Sequence, residues 1–160
     1  METGLTVAID DREFEARLGN IIRQLRPGGQ TAGLMRAIGY FMQRRTDTHF
    51  KDEKDPEGRA WEPLKECTIA GRRIGPRAKK RGGKRKIAIL QDRGTLRRSI
   101  NSIADATSAE IGTNLHYAGY HQFGAPRANI PIRAFLGVAD EDAEGIENLA
   151  LDYLARVMGG

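Results

Sequence analysis

The sequence predicts a single α+β domain over residues 1–160, in which a small, mainly antiparallel sheet packs with long N-terminal and C-terminal helices. Three observations predict this class. A length of 160 residues suits one domain. Apolar residues recur at helical spacing near both ends, while short strand-like patterns lie between them. A segment over about residues 70–86, rich in basic residues and glycine, predicts one long basic loop.

The N-terminal part predicts a short strand and then two helices. Leu5, Val7 and Ile9 alternate with other residues, as in a strand. The following helix can be capped by Asp10 or Asp11 and ends at Pro27-Gly28-Gly29. Its apolar positions are Phe14, Leu18, Ile21, Ile22 and Leu25. A second helix is expected from Thr31 to about His49, with the apolar stripe Leu34, Ile38, Phe41 and Met42.

A turn precedes the basic loop. Pro56 and Gly58 supply the dihedral angles that a turn over residues 55–58 needs. Trp61, the only tryptophan, follows at once and is predicted to anchor this turn on the core.

Short elements are expected after the basic loop. Residues 86–90 predict a strand and residues 95–100 a short helix, which Asp92 or Thr95 can cap. Residues 103–107 and 110–114 predict two strands around a turn near Ser108.

The last third of the chain predicts a helix, an extended segment and a final helix. Residues 115–122 predict a short helix that Gly124 stops. The apolar residues from Ile130 to Val138 predict a strand around Pro131. Asp140 opens the final helix, because acidic residues suit a first turn. Its apolar face is Ile146, Leu149, Tyr153, Leu154 and Val157.

Positive charge is concentrated in the basic segment. The net charge is +5, yet nine basic residues between Cys67 and Gln91 have no acidic neighbour there. They are Arg72, Arg73, Arg77, Lys79, Lys80, Arg81, Lys84, Arg85 and Lys86. Nucleic-acid phosphates and an acidic protein are both open as partners. Since no aromatic residue lies between Trp61 and Tyr117, contact with nucleic acid would be salt-sensitive and blind to sequence.

No pattern of catalytic residues or metal ligands stands out. His116 and His121 are five residues apart, which misses the spacing of a helical metal pair. Cys67 is the only cysteine, and no pattern pairs it with a histidine. Phosphate-binding and nucleophile-elbow motifs are missing as well. We therefore expect no enzyme, no cofactor and no metal, with a small nuclease as the least favoured alternative.

The sequence also indicates the cellular compartment in which the protein works. The longest apolar run is Ile87-Ala88-Ile89-Leu90, whereas a membrane span needs about 20 residues. The opening residues lack the basic and apolar regions of a signal peptide. A single cysteine fits a reducing compartment. We expect a protein that contacts no membrane.

Four blocks, in this order, carry a resemblance to a known family. They are DPEGRAWEPL at Asp55–Leu64, ILQDRGTLRRSI at Ile89–Ile100, IGTNLHYAGYHQFGA at Ile111–Ala125 and IPIRAFLGVADED at Ile130–Asp142. Together they resemble the phage virion morphogenesis family, the tail-completion proteins of Mu-like and related contractile-tailed phages. The basic stretch before the ILQ block is longer here than is usual in that family.

The resemblance implies a structural virion protein that acts late in assembly. Such a protein completes the tail or joins it to the DNA-filled head, as copies in a homo-oligomeric neck ring. The expected partners are other phage neck and tail proteins, with possible contact to packaged DNA through the basic loop. The expected location is the neck or tail end of the virion, after assembly in the host cytoplasm. The alternative is a sequence-nonspecific nucleic-acid-binding protein that uses the same loop.

Residues at the turns and helix ends of the blocks supply the candidate assembly residues. We expect them to form a rigid corner that packs the C-terminal helix and presents an assembly surface. They are Trp61, Tyr117, His121, Gln122, Phe123, Gly124, Pro131, Arg133 and Phe135.

Overall fold

The computed structural model describes residues 5–6, 12–25, 29–74 and 87–159. Its elements follow in chain order. They are β1 (Leu5–Thr6), α1 (Arg12–Gln24), α2 (Gly29–Asp52), α3 (Glu66–Ile74), α4 (Thr95–Arg98), β2 (Asn101–Ala104), β3 (Ala109–Thr113), α5 (Ala118–Phe123), a 3₁₀ turn (Pro126–Ala128) and α6 (Asp140–Met158). The α+β class is confirmed, as are the long helices at both ends.

The strands form one antiparallel sheet in the order β1-β3-β2. Asn101 pairs with Gly112 and Ala104 with Ala109, so β2 and β3 form a hairpin. The β2 strand lies earlier than the predicted 103–107, because Asp105 already belongs to the turn. Its carboxylate accepts hydrogen bonds from the backbone N–H groups of Thr107 and Ser108 at 2.6 and 2.7 Å.

The sheet and the long helices enclose the first of two apolar cores, which we call the helical core. It joins the predicted apolar stripes of α1, α2 and α6. Its buried members are Phe14, Ile21, Leu25, Leu34, Met35, Ile38, Met42, Ile146, Ala150 and Leu154. The predicted helical periodicity is therefore confirmed for all three helices.

A second core, the loop core, lies at the other end of α2. Its buried members are Phe50, Trp61, Ile89, Leu96, Ile100, Ala118, Phe135 and Leu136. Phe50 packs edge-on against Trp61 and tilted against Phe135, with ring centroids 5.6 and 5.4 Å apart. The α2 helix thus contributes to both cores, with Met42 in the first and Phe50 in the second.

Two predictions for the middle of the chain are wrong. The basic loop was expected from about residue 70, yet α3 continues to Ile74 and contains Arg72 and Arg73. Basic residues in a last turn complement the helix dipole, which favours this helix end. Residues 86–90 were expected to be a strand. Instead, residues 89–90 form a turn with φ of +56° at Leu90, and the Ile89 N–H bonds to the Glu53 carboxylate.

The segment around Pro131 is also outside the sheet. It is extended, as predicted, but its only β-type pairing among the described residues is the isolated bridge between Ile130 and Ala125. The Arg133 N–H bonds to the His121 carbonyl, and side chains from elsewhere in the fold bond to the backbone of residues 134–136 in place of a neighbouring strand. The turn over residues 55–58 is confirmed by the Gly58 N–H bond to the Asp55 carbonyl and by a φ of +80° at Gly58.

Candidate assembly surface

Gln122 fixes the corner between α5 and the extended segment. Its side-chain oxygen accepts hydrogen bonds from the backbone N–H groups of Phe135 and Leu136, at 3.0 and 3.1 Å. Its amide nitrogen donates to the Leu136 carbonyl at 2.6 Å. One buried side chain therefore does for two residues what a neighbouring strand does in a sheet.

Three further side chains hold the same segment. The Trp61 indole N–H donates to the Ala134 carbonyl at 2.8 Å. His49 Nδ1 lies 3.0 Å from the Phe135 carbonyl, so Nδ1 carries the proton. Arg133 is buried, and its guanidinium donates to the carbonyls of Glu62 and Pro63. The expectation that Trp61 anchors its turn on the core is confirmed.

Gly124 lets the chain turn between α5 and the segment. Its φ of +76° and ψ of 164° belong to a region that only glycine occupies without strain. An added Cβ would also lie 2.9 Å from the Ile132 side chain. The predicted helix stop at Gly124 is confirmed, and Pro131 continues the chain in an extended form.

Large apolar side chains project from this rigid corner. The candidates Tyr117 and Phe123 are 41% and 65% exposed. Tyr120 and Ile132, which the sequence analysis did not select, are 56% and 65% exposed. Exposed apolar side chains that adjoin one another mark interaction sites. Ala118 and Gln122 are four residues apart and share the buried face of α5, so Tyr120 midway between them lies on the opposite face. That helical spacing is a signal that could have found Tyr120.

A groove of about 550 Å³ opens beside the corner. Apolar side chains, including Leu64, Leu96 and Ile130, form part of its wall. The cations Lys65, Arg72, Arg93 and Arg133 also line it, and Asp92 is the single acid among the described residues of its wall. Three further candidate assembly residues line the groove, namely Tyr117, His121 and Pro131. The groove is therefore both apolar and electropositive.

His121 is half-buried in that wall. Burial first, and the nearby positive charge of Arg133 second, hold the pKa of His121 below its ordinary value. Tyr117 meets its ring edge-on, with centroids 6.2 Å apart. The imidazole is therefore held neutral near physiological pH.

The basic segment divides into a described and an undescribed part. Arg72 is turned inward: its guanidinium donates to the Ala88 carbonyl at 2.9 Å and lies 3.9 Å from Asp92. Arg73 is exposed on α3. The remaining predicted contact residues lie outside the described residues. They are Arg77, Lys79, Lys80, Arg81, Lys84, Arg85 and Lys86.

Two ion pairs that sequence reasoning missed join α2 to α6 and to α4. Arg45 on α2 bonds to Asp142, which is fully buried in the first turn of α6. Asp142 also accepts the Ala139 N–H, so it caps the helix that Asp140 was expected to cap. Arg97 of α4 bonds to Asp47 of α2. No sequence spacing connects these partners, which lie 97 and 50 residues apart.

A sequence model of the phage virion morphogenesis family matches residues 9–155. The chain belongs to this family. The match extends beyond the four blocks to both long helices, which the blocks left out. No curated protein and no solved structure is significantly similar to the chain.

Membership makes this a phage virion morphogenesis protein, associated with the virion and with other virion proteins. No helix among the described residues is long and apolar enough to cross a membrane. Nor do the described histidine, cysteine and acidic side chains gather into a group of three that could hold a metal ion.

Proposed function

We propose that this protein is a structural component of the phage neck, which completes the tail and joins it to the DNA-filled head. The family match over residues 9–155 carries the proposal. We further propose that the protein is not an enzyme and that several copies of it form a ring around the DNA channel.

The corner supports a structural role. Gln122, Trp61, His49 and Arg133 tie an irregular segment to the core by directed hydrogen bonds. Such bonds fix one conformation more strictly than apolar contact does. The exposed Tyr120 and Phe123 therefore project from a rigid base, which suits a surface that must fit a partner in one orientation.

Electron microscopy of particles from a phage that lacks this gene tests the proposal. Filled heads beside separate, finished-looking tails are the expected result. Intact infectious particles would contradict it. Complementation with Tyr120→Ser/Phe123→Ser should fail to restore joining, whereas the matched change of the exposed Tyr40 on α2 to Ser should restore it.

Sequence-nonspecific binding of nucleic acid is a second candidate, favoured by the nine basic residues without an acidic neighbour. In the neck, the same residues would face packaged DNA or an acidic partner. Changing Arg77, Lys79, Lys80 and Arg81 to Ser should then reduce DNA retention or assembly. A variant that assembles and retains DNA normally would exclude the role, while steeply salt-dependent DNA binding by the isolated protein would favour it.

A further inference from the structure

We infer that the groove beside α5 receives the exposed face of α6 from a second copy of this chain, in a head-to-tail contact. The inference rests on the proposed ring and specifies the surfaces that build it. It follows from two patches that are open among the described residues and that match in chemistry.

The first patch is the groove. Lys65 and Arg93 are exposed at its wall, and Arg72 and Arg133 lie deeper. The part of the wall that the structure describes has four cations and one acid, Asp92, so this surface favours an acidic occupant. Its apolar residues, Leu64 among them, favour an occupant that also carries apolar side chains. A volume of about 550 Å³ has room for several side chains.

The second patch is the outer face of α6. Ile146, Ala150 and Leu154 bury the inner face in the helical core. On the outer face, Leu151 and Met158 are 47% and 67% exposed, and Ala155 between them is exposed as well. Spacings of four and three residues place these side chains in one stripe.

Acidic residues accompany this stripe. Glu144 and Asp152 are exposed on α6, and Arg156 is the only basic residue of the helix. Asp140 and Glu141 add negative charge in the first turn. The outer face is therefore apolar and acidic, which complements a groove that is apolar and basic.

The placement of the two patches favours contact between copies. The α6 helix packs on α1 and α2, whereas α3, α4, α5 and the segment near Pro131 form the groove. Two different complementary patches on one chain generate a head-to-tail interface, and such an interface closes into a ring when the rotation permits. A two-fold dimer would instead need one patch that complements itself.

Charge reversal in the purified full-length chain tests the contact. Lys65→Glu/Arg93→Glu reverses the groove, and Glu144→Lys/Asp152→Lys reverses the helix face. Sedimentation velocity should show that the wild type self-associates and that each double variant weakens association at least about tenfold, as expected for close charge pairs across an interface. The fourfold variant, with both patches reversed, should recover association.

Mixing the two double variants gives a sharper result. The groove variant keeps a functional helix face and the helix variant keeps a functional groove. The reversed groove of the first also complements the reversed helix face of the second. A head-to-tail contact therefore predicts that the mixture associates as alternating copies, although neither double variant associates strongly alone. The matched controls Arg36→Glu/Arg44→Glu and Asp52→Lys/Glu110→Lys change the same charge at exposed positions outside both patches, and they should associate like the wild type.

Three outcomes would overturn the inference. One is a wild type that stays monomeric at the highest soluble concentration. Another is an oligomer that neither reversal affects. The last is loss of association by the groove variant alone, which would assign the groove to a different acidic surface. None of them decides the neck function, which electron microscopy of the gene-deleted phage tests separately.

Discussion

The helical core and the loop core differ in what holds them together. In the helical core, apolar faces of α1, α2 and α6 meet, and the backbone hydrogen bonds stay within each helix. In the loop core, the backbone of residues 134–136 depends on side chains from other parts of the chain. Gln122, Trp61 and His49 supply them.

The difference shows that two equally buried cores can require different kinds of side chain. A helical core needs apolar side chains of suitable volume, so related apolar residues can replace one another there. The loop core needs particular donors and acceptors at particular positions. Loss of one leaves buried backbone groups without a partner, which costs more than the lost bond is worth.

The largest contrast should come from one substitution in each core. Gln122→Leu keeps similar volume but leaves three buried backbone groups without a partner, at about 1–3 kcal/mol for each buried group. Leu34→Met in the helical core should cost less than about 1.5 kcal/mol. Urea denaturation measures both. Equal losses of unfolding free energy would contradict the distinction between the cores.

Two glycines five residues apart, Gly119 and Gly124, provide the next contrast. Gly124→Ala should destabilise by roughly 1–3 kcal/mol, because its positive φ and the nearby Ile132 side chain leave no room for a Cβ. Gly119→Ala within α5 meets open space and should stabilise by about 0.5–1 kcal/mol. Thermal melts check the opposite signs. A Gly124→Ala protein as stable as the wild type would show that the corner is not rigid.

Mild acid should lower the stability of the protein through His121 in the groove wall. The pKa of His121 is lowered in the folded state, so the unfolded chain takes up a proton first as the pH falls below about 6.5. Stability from this group is therefore present above that pH and is lost below it. Urea denaturation at several pH values should show this slope in the wild type and a flatter one in His121→Gln. An unchanged slope would assign it to another group.

The smallest effect concerns the hairpin of the sheet. Backbone N–H groups of Thr107 and Ser108 lower the pKa of Asp105 to about 2. The carboxylate therefore stabilises the turn above its ordinary pKa of 3.8 and loses this contribution as the pH falls toward 2. Carboxyl NMR titration of Asp105 measures it directly. A normal pKa would mean that the turn bonds do not form in solution.

Prediction from the sequence succeeded for the helical core and failed for part of the loop core. Periodicity located α1, α2 and α6, because each buries one stripe in the helical core. It placed a strand at residues 86–90, since Ile87–Leu90 is an apolar run. Burial of Ile89 explains the run, but Glu53 satisfies its N–H, and no local pattern encodes a partner 36 residues away.

The candidate residues divide in the same way. Gln122, Arg133 and Phe135 were selected through a family resemblance, and the structure places all three in the loop core or its hydrogen bonds. The resemblance did not distinguish them from the exposed Phe123. Burial and exposure at neighbouring positions depend on how α5 sits on the core, which only the three-dimensional arrangement shows.

The passage of α2 through both cores has a mechanical consequence. A helix of 24 residues is a rod about 36 Å long, with Leu34 seated near one end and Phe50 near the other. Its ends cannot move independently, and Arg45 fastens the rod to the start of α6 between them. A force that a neighbouring subunit applies to α6 is therefore transmitted through Arg45 and α2 to Phe50 in the loop core.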